Sequence, residues 1–216
     1  MAFRIGVRFN ADGWEAKGLH GNALVWHHPN GDGLGLYHFE VSPDLPVALE
    51  NDEVLLARWE DNDNGVISRM VITLDGVLTV RSIIKRKQSP SGLTYIGSWI
   101  IPRKRFSYVI KIQCAEHGPT GMREAIIADR ALGSGQVTLE ADGSLRGWAA
   151  SFAEDWIYTN LAESETFDME FPDHPLSRLR QHMRVLEPSI RIEDWVRRAP
   201  AFAGPRKKPW WQRRSG

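Results

Sequence analysis

The sequence predicts an α+β protein built on a mainly antiparallel sheet of about eight or nine strands with helices packed on it. Three observations carry this. Apolar and polar residues alternate along much of the chain; two Asp-Gly pairs sit between such runs; and two stretches carry helix periodicity, one between clear start and stop signals.

In "FRIGVRF" Phe3, Ile5, Val7 and Phe9 share one face, which predicts a half-buried strand. "NALVWHH" and "GLGLYHFEV" flank the turn-rich "PNGDG" and read as a hairpin. In "VISRMVITL-DG-VLTVRSIIKR" the Asp75-Gly76 pair suits a type I′ turn, where both central residues take positive φ. Pairing outward sets Leu74 against Val77, Ile72 against Thr79, Val71 against Val80 and Ile67 against Ile84. Apolar pairs on both faces predict a sheet covered at least partly on both sides. "GLTYIGSWII" and "FSYVIKIQC" add two strands joined by Pro102-Arg103-Lys104-Arg105, and "QVTLEA-DG-SLRGWA" predicts another two-residue hairpin at Asp142-Gly143.

"TGMREAIIADRAL" predicts a helix with Thr120 as its N-cap and Met122, Ala125, Ile126 and Leu132 as its apolar arc, within which Asp129 falls. "DHPLSRLRQHMRVLEP" predicts a second, started by Asp173 and Pro175, ended by Pro188, with Leu176, Leu179, Met183 and Leu186 in one stripe. "SIRIEDWVRR" adds a short third helix, and residues 46–60 fit no single period. The whole predicts one domain over 1–198 and a flexible tail over 199–216. This order of antiparallel strands with a mid-chain and a late helix loosely resembles the α/β/α sandwiches of the PsbP/Mog1 kind. That resemblance implies an architecture and no activity.

The formal net charge is zero, which hides an asymmetry. Seven basic and no acidic residues lie between Arg197 and Gly216, leaving 20 basic against 27 acidic in the rest. One cysteine excludes an internal disulfide and a Cys-based zinc knuckle. The first residues lack the apolar core of a signal peptide, and no apolar run would cross a membrane, so the expected location is cytoplasmic, signal-less export aside.

"KIQCAEHGPTGMREA" gathers Cys114, His117 and Glu124, the least unsuitable catalytic set in the chain. Strand parity argues against it. Cys114 continues the apolar face of Phe106, Tyr108, Ile110 and Ile112, where a thiol is a small hydrophobe rather than a nucleophile. Adjacent His27 and His28 point to opposite strand faces, so at most one joins His38; the pair His27 and His38 is the only weak metal candidate. His174, at a helix start, reads as a cap. Glu163, Glu165, Asp168, Glu170 and Asp173 read as a solvated acidic loop, or as a docking surface for a basic partner. Lys85, Arg86 and Lys87 could meet Arg103, Lys104 and Arg105 at one end of the sheet. Cofactor-binding fingerprints are absent from the sequence, and no cofactor is expected.

The tail "PRKKPWWQRR" interleaves Arg206, Lys207, Lys208, Arg213 and Arg214 with Trp210 and Trp211. Cations beside aromatics suit a groove on a protein, single-stranded nucleic acid or an anionic membrane. The leading expectation is a non-enzymatic interaction module, an adaptor, immunity or accessory protein, holding a protein partner by its surface and this tail. The alternatives are a small hydrolase or transferase with a site assembled from scattered residues, and a tail-mediated binder of nucleic acid or anionic membrane.

Overall fold

The computed structural model describes residues 4–50, 65–149 and 159–205. The seven tail residues from Arg206 to Arg214, and most of the stretch 46–60, lie outside them. Among the described residues the chain forms strands β1 (Val7–Arg8), β2 (Glu15–His20), β3 (Ala23–His27), β4 (Gly33–Phe39), β5 (Gly65–Leu74), β6 (Val77–Lys87), β7 (Leu93–Pro102) and β8 (Ser107–Ala115). Helix α1 (Met122–Gly133), β9 (Thr138–Leu139), β10 (Leu145–Arg146), α2 (Pro175–Leu186), β11 (Arg191–Ile192) and α3 (Asp194–Arg197) follow. Seven strands form one antiparallel sheet in the order β2-β3-β4-β8-β7-β6-β5, and the fold class is α+β as predicted. No described helix is long and apolar enough to cross a membrane.

The β5–β6 turn has Asp75 at φ 45° and Gly76 at φ 78°, the backbone a type I′ turn requires. Leu74↔Val77, Ile72↔Thr79 and Val71↔Val80 pair as predicted. Ile67 does not meet Ile84. A bulge between Val66 and Ser68 slips the register, so Val66 pairs with Ile84. At Asp142-Gly143 the expected two-residue turn is replaced by a longer loop closed by Glu140 N–H to Ser144 O at 2.9 Å. Only Gly143 takes a positive φ there, while Asp142 accepts the Ser144 N–H at 2.9 Å. The first strand is shorter than its alternation suggests and pairs with β11 rather than joining the main sheet.

One sheet face carries Leu34, Leu36, Tyr95, Trp99, Ile110, Ile112 and Cys114, packed under Leu176, Leu179, Met183 and Leu186 of α2. Each such fully buried apolar side chain is worth about 1.5–3 kcal/mol. Gly97 makes the close approach possible: a Cβ there would lie 3.0 Å from Leu179 Cδ1 and nearer still to Met183 Sδ. The other face is covered in part, where Leu45, Leu49 and Phe202 pack on Val80. Ordered packing runs past residue 198, since Ala201 bridges to Arg103 and Phe202 is buried.

Helix α1 is rotated from its expected orientation. Gly121, at φ 75°, is the N-cap in place of Thr120. The buried positions are Arg123, Ile127 and Ala131, while Met122, Leu132 and Asp129 are exposed. Arg123 causes this. Its guanidinium bonds to Ala162 O (2.7 Å), Ser164 O (2.8 Å), Ser177 Oγ (2.7 Å) and Asp168 Oδ1 (3.1 Å), a partner set that only an inward-facing arginine could reach.

Candidate functional site

Cys114 and His117 are not brought together as a catalytic pair. Cys114 is fully buried at the end of β8, with Sγ grouped with an Asp32 oxygen and a His182 nitrogen, all within 4.8 Å of one another. Burial pushes the thiol far above its ordinary range, and the Asp32 carboxylate that it faces pushes it further. His117 is exposed on the loop beyond.

Asp32 is the centre of that buried group. The turn from His28 to Asp32 closes through His28 N–H to Asp32 O at 2.9 Å, with Gly31 at φ 90°. Arg178 and His182, four apart on α2, both reach the carboxylate. Arg178 donates from Nε (3.1 Å) and Nη2 (3.0 Å), and His182 Nε2 sits 3.0 Å from Oδ2. Burial alone would raise the carboxyl's pKa; these bonds outweigh it and hold Asp32 well below the usual carboxylate range. Trp14 and His28 rest against the His182 ring, with centroids 4.9 Å away in each case. Over them opens a cleft of about 380 Å³ that Asp12 and Gln181 also line.

Glu124 belongs to a second group, with Glu116 and His174. Glu116 is anchored at the end of β8, accepting the Leu93 N–H (2.7 Å) and the Gly121 N–H (3.2 Å). His174 caps α2, its Nδ1 accepting the Leu176 N–H at 3.3 Å, as its place before Pro175 predicts. Its Nε2 lies 3.7 Å from Glu124 Oε1 and 4.0 Å from Glu116 Oε1, too far for hydrogen bonds. Tyr95 donates to Glu124 Oε1 at 3.4 Å. Desolvation raises the Glu124 pKa, with Glu116 adding to it, and burial pushes His174 down to about 3, helped by the nearby Arg123 and Arg178. The His174 imidazole is therefore neutral at any ordinary pH.

The acidic loop divides: Glu163 and Asp168 turn inward, while Glu165, Glu170 and Asp173 stay exposed as a solvated loop would have them. Glu163 pairs with the buried Lys85, and Asp168 is held by Arg123 (3.1 Å) and Arg180 (2.9 Å). Glu170 meets Arg130 at 2.5 Å, and Arg178 donates to the Asp173 carbonyl. Lys85 is thus removed from any basic cluster with Arg86 and Lys87. Antiparallel β7 also places residues 85–87 and 103–105 at opposite ends of the sheet.

His27 and His38 do not converge. The β3–β4 register puts His27 opposite Gly33 and His38 beyond Tyr37, on opposite faces. His38 stacks on Tyr108 at 4.7 Å. The residues that sequence reasoning passed over are Asp32, Arg178 and His182. Their only sequence signal is the i,i+4 spacing of the latter two, since Asp32 is 146 positions away from its arginine.

β2 forms one margin of the main sheet, and all six of its residues are exposed. Leu19 is 50% exposed, and a bulge between Ala16 and Gly18 interrupts the pairing with β3. No family model matches the chain, and no curated protein matches it.

Proposed function

We propose that the chain is a non-enzymatic protein-binding module that takes an extended segment of a partner as an added strand along β2. The observation that carries this reading is the margin itself: a six-residue strand, exposed throughout, with no described neighbour on its outer side. Outer strands present rows of unpaired N–H and C=O groups and are templates for strand addition. Lys17 and the adjoining bulge guard such an edge against indiscriminate pairing with copies of itself, and Leu19 gives a chosen partner an apolar foothold.

Two further features support binding rather than turnover. The thiol of Cys114 is closed off against Asp32, and the two inward carboxylates of the acidic loop, Glu163 and Asp168, are matched by Lys85 and Arg123. The tail bearing Trp210 and Trp211 supplies a second contact with the same partner in this reading. The test compares three chains as bait for partner capture: the intact chain, Leu19→Glu, and a chain ending at Pro205. Leu19→Glu loses at least about ten-fold in affinity with an unchanged unfolding midpoint, and the shortened chain binds more weakly. A partner held equally by all three refutes the reading.

A further inference from the structure

We propose that the gap between His174, Glu124 and Glu116 is a subsite for one hydroxyl group of a neutral polyol, whose remaining atoms lie in the adjoining clefts. Two buried polar atoms of the residues around this gap lack a hydrogen-bond partner: His174 Nε2, which lies between the two carboxylates, and Glu124 Oε2. The His174 side chain is only 9% exposed and that of Glu124 20%. Unpaired groups at such depth are uncommon and call for a partner.

The chemistry of the partner follows from the tautomer. Because Nδ1 accepts the Leu176 N–H, the neutral ring carries its proton on Nε2. Nε2 is then a donor, with no lone pair to offer a metal ion. The oxygens facing it are acceptors, so the missing group must accept from nitrogen and donate to a carboxyl oxygen. A hydroxyl does both.

Spacing agrees. The three groups' ligating atoms lie within 4.8 Å of one another, with Nε2 to oxygen distances of 3.7 and 4.0 Å. A single oxygen at hydrogen-bond length, about 2.8 Å, fits between them, accepting from Nε2 and donating its one proton to one of the two carboxylates.

Room for the rest of the ligand exists on both sides of Glu116, in clefts of about 370 and 390 Å³. Phe171, Pro172 and Pro175 line the first and suit the C–H faces of a polyol. An anionic ligand is disfavoured because Arg123 and Arg178 are committed to Asp168 and Asp32, and an ammonium group has no lone pair to accept the Nε2–H.

The test follows the side-chain nitrogens of His174 by NMR on the intact chain, with glycerol, D-glucose and myo-inositol as probes, each to about 100 mM, and zinc chloride in parallel. The expected result is an Nε2–H tautomer and a saturable shift with at least one polyol. That shift weakens at least about ten-fold in Glu124→Leu; Glu124→Gln, which keeps an oxygen acceptor, retains most of it. Failure of every polyol to saturate overturns the proposal, leaving an ordered water as the occupant. Saturation by zinc with a switch to the Nδ1–H tautomer overturns it equally.

Discussion

Cys114 is the residue at which sequence and structure agree most closely. Alternation along β8 gives it to the apolar face, and it is fully buried there. A thiol reagent is expected to leave it unlabelled in the native protein and to label it on unfolding; fast native labelling would contradict its placement against Asp32. His174 makes a pH prediction of definite sign. The unfolded chain takes up a proton at the ordinary value of about 6.5, whereas the folded ring stays neutral down to about 3. Its contribution to stability is therefore complete above about pH 6.5 and declines as pH falls, by up to about 1.4 kcal/mol per pH unit. Glu124, whose folded pKa is raised, acts in the opposite sense: its contribution is present at low pH and fades as pH rises through the folded value. Asp32 acts below both, since its depressed pKa gives stability above about pH 4 that is lost on further acidification. Comparing denaturant unfolding of the wild type with His174→Asn, which keeps a good cap, isolates the first contribution. The difference between the two should narrow or reverse between pH 6.5 and 4. The depth of His174 was not legible in the sequence, because it depends on α1, α2 and the end of β8 meeting.

Strands and turns were the legible elements. Period-two alternation and an Asp-Gly pair specify local backbone, and the β5–β6 turn formed with the expected angles. What failed was set by contacts remote in sequence. The Ile67 register slipped at a bulge, and α1 turned about its axis because Arg123 finds Ala162, Ser164, Asp168 and Ser177 some 40 to 55 positions onward. An apolar count on a helical wheel cannot weigh a buried arginine with a full set of acceptors. Arg123→Met should cost about 3–5 kcal/mol, because it leaves Asp168 with one arginine fewer and takes a donor from two carbonyls, Ala162 and Ser164. A loss below about 1 kcal/mol in denaturant unfolding would show the interaction to be peripheral. Gly97→Ala tests the seat of α2 on β7: the added methyl meets Leu179 and Met183 and should cost about 1–3 kcal/mol by overpacking. An unchanged midpoint would mean that the helix is not closely seated.

At the scale of the whole molecule, the seven-stranded sheet joins two partly covered faces to one exposed margin, β2. The charge asymmetry was visible in the sequence, but the inward turn of Glu163 and Asp168 was not, since their partners Lys85, Arg123 and Arg180 come from three different elements. Because Phe202 is packed in the core, removal of the tail after Pro205 should leave the unfolding midpoint unchanged, whereas a cut at Pro200 should lower it. Equal midpoints for the two cuts would contradict the role given to Phe202. The measurement that most directly tests the central claim is amide hydrogen exchange of the intact chain, alone and with its captured partner. The outward-pointing amides of Glu15–His20, those not bonded to β3, are expected to be open in the free protein and protected on binding, with Leu19→Glu abolishing this protection. Partner binding that leaves β2 exchanging at its free rate, with protection appearing elsewhere, would contradict it.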